Sequence, residues 1–153
     1  MRYKGEKIMT FGEKLKKLRE SRKLTQTQMA DMLGVSLRTY QYYESGRMYP
    51  KDKAVYQRTA TRFNVTMDSL LGDQDLFIID AQSKYGARGR DQATNIIKAT
   101  EALYAGGTLS EEDEQAFYRQ MTRIFDRVKQ RNAKRYAEKM RMHKSDDNDG
   151  DDE

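Results

Sequence analysis

The chain has 153 residues, with 29 Lys and Arg against 24 Asp and Glu, a net charge of +5, no cysteine and one proline. That length suits one or two small domains, and the lack of cysteine excludes a disulfide framework and a cysteine-held zinc site. Mean hydropathy is −1.02, no apolar run approaches the ~18 residues of a membrane span, and no signal-peptide core is present, so a cytoplasmic protein is expected.

The charge is unevenly spread. Residues 1–72 hold 15 basic and 7 acidic side chains, residues 73–144 hold 14 and 11, and residues 145–153, SDDNDGDDE, hold six acids and no base. Taken in chain order, residues 1–9, MRYKGEKIM, are basic and aperiodic and read as a flexible arm, with Met1 or Met9 as the natural start. A first helix is expected from Thr10 to Lys23, with Phe11, Leu15 and Leu18 at i, i+4, i+7 facing a core. Residues 24–47, LTQTQMADMLGVSLRTYQYYESGR, then read as two short helices around a tight turn. Thr25 supplies an N-cap, Met29, Ala30, Met32 and Leu33 an apolar face, and Gly34 the stop, where positive φ is needed. Val35 plugs the core, and Ser36 caps a second helix over Leu37 to Glu44. Helix, glycine-containing turn and helix form the pattern that lays its second helix in the major groove of DNA.

After the loop Ser45-Gly46-Arg47-Met48-Tyr49-Pro50, a fourth helix is expected from Asp52 to Phe63, burying Tyr56, Ala60 and Phe63. Thr66 caps a short fifth helix, and Gly72-Asp73-Gln74-Asp75 reads as a domain boundary, giving a DNA-binding domain over 10–72. Leu76-Phe77-Ile78-Ile79 fits a strand or the start of a helix, and Tyr85-Gly86-Ala87-Arg88-Gly89-Arg90 reads as a loop. Asp91 to Ala105 is expected to be helical, with a stripe of Ile96, Thr100, Leu103 and Tyr104, closed by Gly106-Gly107. Ser110 opens a long helix, with Glu111, Glu112, Asp113 and Glu114 at the positive dipole end. Phe117, Met121, Ile124 and Val128 form its stripe. Beyond Val128 Lys and Arg dominate, and helix is expected to about Met140.

The expected fold is all-α: a five-helix domain, a C-terminal helical hairpin over 73–144 for oligomerisation or partner binding, and a disordered acidic tail over 145–153. Two helices alone leave an apolar face uncovered, so a homodimer is expected through Ile96, Leu103, Tyr104, Phe117, Met121, Ile124 and Val128. Folding back onto the first domain competes with it. For the tail, the sharper reading is that its acids shield the basic surface.

The run L-T-Q-x-x-x-A-x-x-L-G-V-S, followed by E-S-G-R, resembles the Xre or phage-repressor class of bacterial DNA-binding domains, and the likeness extends from about Phe11 to Gly72. It implies double-stranded DNA as partner and a buried ion pair between Arg19 and Glu44. The residues aligned with base-reading positions are Ser36, Leu37, Arg38 and Tyr42, with Gln41 beside them. Arg38 suits guanine O6 and N7 or a phosphate, Gln41 adenine, and Leu37 a thymine methyl. Tyr40 and Tyr43 are assigned to the core. Gln26, Arg47, Lys51 and, more weakly, Gln28 are the phosphate-binding candidates.

The function implied is a dimeric transcriptional regulator, a repressor by family analogy, that binds an inverted-repeat operator. The alternative is an antitoxin or another regulator whose C-terminal helices bind a partner protein. An enzyme is disfavoured, because no Walker A loop or H-E-x-x-H is present and His143 stands alone in a basic stretch. Ala105-Gly106 resembles the bond cut in self-cleaving repressors, but only 47 residues follow it, so it reads as a helix stop. No cofactor or metal is expected.

Overall fold

The computed structural model describes residues 9–103 and 109–146. Among the described residues it is all helical: α1 (Phe11–Ser21), α2 (Gln26–Leu33), α3 (Leu37–Glu44), α4 (Lys53–Phe63), α5 (Met67–Leu70), α6 (Asp73–Leu103) and α7 (Glu111–Asp146). The chain divides into two compact units, one ending at Ser110 and the other starting at Glu111.

Each of α1 to α5 starts on a side chain that accepts an otherwise unpaired backbone N–H. Thr10 and Glu13 form a capping box on α1, Thr25 and Gln28 another on α2, and Ser36, Asp52 and Thr66 cap α3, α4 and α5. α1 stops at Ser21, short of the expected Lys23, because Lys23 turns left-handed (φ 53°) and Leu24 N–H bonds back to the Arg19 carbonyl at 3.1 Å. Gly34 ends α2 at φ 68°, the conformation a side chain rarely adopts.

The core of the first unit gathers Phe11, Leu15, Met29, Ala30, Leu33, Tyr40, Val55, Tyr56, Phe63 and Leu70. Phe11 meets Tyr56 edge-on at 5.0 Å between ring centroids. α4 is rotated slightly from the expected face, so that Val55 and Thr59 are buried and Ala60 only half so. α1 and α3 touch backbone to backbone: a Cβ on Gly12 would lie 2.5 Å from the Tyr43 carbonyl oxygen and 2.8 Å from that of Glu44. Glycine is what allows this approach.

Packing continues across the turn at 72–75, where composition marks a boundary. Asp75 is fully buried, and Oδ1 accepts from Phe11 N–H at 2.9 Å and from the Tyr49 hydroxyl at 2.7 Å. Its Oδ2 accepts from Gly72 N–H at 2.9 Å. Gln82, two turns on, pairs with the backbone of Tyr49, accepting at 3.2 Å and donating at 2.9 Å. Phe77, Ile78 and Ala81 add apolar surface from the same helix. Burial pushes the Asp75 carboxyl above its ordinary range, even though Tyr49 and the two backbone N–H groups favour its charged form.

Residues 76–79 are helical, and the expected loop at 85–90 is helical apart from a single break at Gly86 (φ 67°, ψ −156°). Beyond the break the buried positions are Gly89, Ala93 and Ile97, spaced four apart, and Ile96 is half-buried. This corrects the expected stripe by one residue.

α7 runs six residues beyond Met140 to Asp146. Lys, Arg, Ala, Met and Glu sustain a helix by propensity where the apolar period has ended. Phe117 and Met121 are half-buried, while Ile124 and Val128 are 49% and 44% exposed. The side chain of Leu103, Tyr104, the Gly106-Gly107 turn, the arm over 1–8 and the tail over 147–153 lie outside the described residues.

Candidate nucleic-acid interface

α3 has two unlike faces. Tyr40 and Tyr43 point into the core at 0% and 6% exposure, whereas Leu37, Arg38 and Gln41 are exposed and Tyr42 is half-exposed. Ser36 is exposed too, but its side chain is engaged at the helix start: Oγ accepts from Thr39 N–H at 3.1 Å and donates to the Thr39 hydroxyl at 2.9 Å.

Tyr42 organises the exposed face. Arg38 Nε donates to its hydroxyl at 2.9 Å, and the Arg38 guanidinium lies 5.6 Å from the ring centroid. Arg47, from the loop after α3, lies 5.9 Å from the same ring. Tyr42 thus draws two arginines together, within the range of cation–π attraction.

A second chain of contacts ties α2 to α3. Gln41 Nε2 donates to Gln26 Oε1 at 3.2 Å, and Gln26 Nε2 donates to Glu44 Oε1 at 3.4 Å. Glu44 is held by Arg19 in a two-pronged pair, Nε to Oε2 at 3.0 Å and Nη2 to Oε1 at 2.8 Å, and Arg19 Nη1 also donates to the Leu24 carbonyl at 3.1 Å. The two side chains are 14% and 7% exposed. Burial alone would raise the Glu44 carboxyl, but the hydrogen bonds and charge of Arg19 prevail and hold it below its ordinary value. The Tyr40 hydroxyl sits beside the pair, and burial, then the Glu44 charge, push it up. It makes no well-formed hydrogen bond.

The remaining candidates stand apart from these clusters. Gln28 is exposed, and its Oε1 is taken by the Thr25 N–H at 2.9 Å. Lys51 is exposed in the loop before α4. In the other regions, Ile96 is half-buried on α6, and Phe117, Met121, Ile124 and Val128 lie on α7.

Three residues that carry no DNA-binding signature, Asp75 (expected only as part of a boundary), Gln82 and Arg58, support this surface from beneath. Asp75 and Gln82 hold Tyr49, and Tyr49 follows Arg47 by two residues in the loop leaving α3. On the other side, Arg58 Nε donates to the Leu33 carbonyl at 3.1 Å, fixing the end of α2 next to the turn. The available signal was the run LFIIDAQ behind Asp75, because Asp75, Ile78 and Gln82 recur at i, i+3, i+7 on one helix face.

No helix among the described residues is long and apolar enough to cross a membrane. Residues 12–72 match the family described as a helix-turn-helix domain. The chain is 38% identical over 71 residues to the HTH-type transcriptional activator BcrR of Enterococcus faecalis, covering 46% of this chain and 34% of that protein. It is 34% identical over 104 residues to the SPbeta prophage-derived uncharacterized HTH-type transcriptional regulator YonR of Bacillus subtilis, covering 67% of this chain and 83% of that protein. It is 41% identical over 61 residues to the uncharacterized HTH-type transcriptional regulator YqaE of the same species, covering 40% of this chain and 52% of that protein. The chain thus spans about a third of the Enterococcus relative, half of one Bacillus relative and most of the other. No solved structure matches it. These matches point to DNA-binding transcription regulation and not to catalysis, and the chain belongs to the family of helix-turn-helix transcriptional regulators.

Proposed function

We propose that this chain is a cytoplasmic, dimeric Xre-type regulator that reads an inverted-repeat operator and represses transcription from it. The observation that carries the reading is the exposed face of α3, where Leu37, Arg38, Gln41 and Tyr42 stand free of the core while Tyr40 and Tyr43 anchor the helix. Arg38 pairs with guanine, Gln41 with adenine, and Leu37 packs on a thymine methyl. Ser36 and Tyr42 complete the base-reading set, while Gln26 and Gln28 at the start of α2, and Arg47 and Lys51 in the loop after α3, meet the phosphates.

In functional terms, residues 10–72 read DNA and residues 73–144 bring two copies together. The half-exposed apolar residues Ile124 and Val128, continuing the row from Phe117 and Met121, support a second copy as their cover. A separate partner protein is the competing cover. Repression by promoter occlusion is the proposed sign, and activation is the sign that the name of the Enterococcus relative carries for that protein.

Selection from random duplex DNA with the full-length protein tests this reading. An enriched inverted repeat with half-sites about 10 bp apart, or a multiple of that, is the expected result. A pool that stays random would overturn it. A promoter-reporter carrying the enriched site then fixes the sign of regulation.

A further inference from the structure

The near-neutral charge of residues 73–144 is the average of two opposite stretches. Residues 73–118 carry 4 basic and 9 acidic side chains, whereas residues 119–144 carry 10 and 2. The excess in those last 26 residues equals the +8 of residues 1–72. It is concentrated further at the end of α7: residues 127–144 hold eight Lys and Arg against the single acid Glu138. Apart from half-buried Lys129, every side chain in that stretch is exposed. These 18 residues form a rod of roughly 27 Å at 1.5 Å per residue.

Concentrated like charge on an exposed helix costs self-repulsion, so the arrangement calls for an anionic counterpart, a role for which the six acids of residues 145–153 compete from the same chain. The pattern narrows what that counterpart is. A coiled-coil seam through Ile124 and Val128 would continue at positions 131 and 135, and both are Arg. The seam therefore ends where the basic stretch begins. A membrane surface requires an apolar face opposite the charges. Here Tyr136 and Met140 share a face, but Met142 points away from them, Lys129 and Lys144 fall on the same side as that pair, and cations lie on every side of the helix. What recurs is a row of Arg127, Arg131, Lys134 and Arg141 at i, i+4, i+7 and i+14, one face over about 21 Å, interrupted only by Glu138 at i+11. Duplex DNA presents one negative charge per ~1.7 Å of axis, so a segment of that length offers more charges than the row can neutralise.

We propose that the exposed basic half of α7, residues 127–144, is a second, sequence-independent binding site for the phosphate backbone of double-stranded DNA. The inference rests on the reading of this chain as a DNA-binding regulator and adds an element outside its helix-turn-helix. The α3 face discriminates between sequences. The basic half of α7 contributes affinity by releasing counterions, and this raises binding to every duplex alike.

The test uses the full-length protein with Arg131, Lys134 and Arg141 all changed to Gln, which removes charge while keeping helix propensity. Fluorescence anisotropy on a labelled duplex of scrambled sequence, from 50 to 200 mM salt, gives the slope of log affinity against log salt. The expected result is a slope shallower by up to about 2.7, at ~0.9 per lost phosphate contact. A charge-conserving control, Arg131→Lys with Arg141→Lys, should retain the wild-type slope. Equal slopes for wild type and the Gln variant would overturn the proposal and point to an acidic protein as the counterpart.

Failure of this inference and failure of the operator reading are separable. If Arg38→Ala loses preference for the selected site while the Gln variant keeps both preference and slope, only the α7 site falls. If the wild type shows no preference among sequences but the Gln variant still loses slope, the α7 site stands and the base-reading assignment falls.

Discussion

α3 and the end of α7 both present cations to solvent, yet they are built in opposite ways. In α3 the exposed face is tied down: Arg38 bonds to Tyr42, Gln41 to Gln26, and Gln26 to the Glu44 that Arg19 clamps. Behind it, Tyr40 and Tyr43 fill the core. From Gln130 to Lys144 on α7 every side chain is exposed. Telling one base pair from another needs donors and acceptors held in place, and the supporting layer under α3 suits the base-reading role proposed for it. Attraction to a phosphate lattice requires only charge within reach, and long mobile Lys and Arg side chains supply that without support.

Removing the anchor is the harshest way to probe this contrast. Glu44→Ala leaves the Arg19 guanidinium, 14% exposed, without its carboxylate, and should cost about 3–5 kcal/mol, as for other broken buried pairs. Urea unfolding should register the loss, and replacing both partners with apolar residues (Arg19→Met with Glu44→Leu) should recover most of it. Operator binding should not recover in step with stability, because Gln26 has lost its acceptor as well. A double variant that regains full selectivity would show that anchoring through Glu44 is dispensable for reading.

Asp75→Asn probes the support beneath the loop that carries Arg47. The amide retains one oxygen for Phe11 N–H and the Tyr49 hydroxyl but turns an NH2 toward Gly72 N–H, so a buried donor loses its acceptor. The expected cost is about 1–3 kcal/mol, measured as a fall in the urea midpoint at neutral pH. An unchanged midpoint would mean that α6 does not brace helices α1 to α5.

The same two carboxylates act in opposite directions in acid. Glu44 is held below its ordinary value of 4.5, so its stabilisation is complete above that value and is lost as pH falls below it. Asp75 is raised above 3.8, so the folded protein takes up its proton first and gains stability as pH falls through the raised value. Unfolding midpoints followed from pH 7 to 3 should therefore drop more steeply with acid in Asp75→Asn than in the wild type. They should drop less steeply in Glu44→Ala. Parallel curves for all three proteins would refute both assignments.

The two regions also differed in how far the sequence disclosed them. Helices α1 to α5 are punctuated locally: Thr25, Ser36 and Gly34 each act on residues within one turn, and the buried positions recur at helical spacing. The docking of α6 has no local signature, because Asp75 is paired with Phe11 N–H 64 residues earlier and Gln82 with Tyr49 33 residues earlier. Polar residues buried by distant partners look like a linker until those partners are known. The glycines at 86 and 89 suggested a loop, yet only Gly86 leaves helical geometry. The basic end of α7 was visible in composition, but acidic residues between 73 and 118 masked its strength when the two stretches were counted together.

The mildest probe is Arg47→Ala. Arg47 is exposed in the loop after α3, where its guanidinium lies over the Tyr42 ring. If it clamps a phosphate, its removal should lower the salt slope by ~1 and weaken selected and scrambled duplexes equally. It stands between the two regimes, since it shares Tyr42 with Arg38 yet lies on a loop. A loss confined to one base pair of the operator would put Arg47 with the anchored readers, acting through the Tyr42 ring to orient Arg38. A uniform loss would group it with the cations of α7, and the boundary between reading and holding would then run through Tyr42 itself.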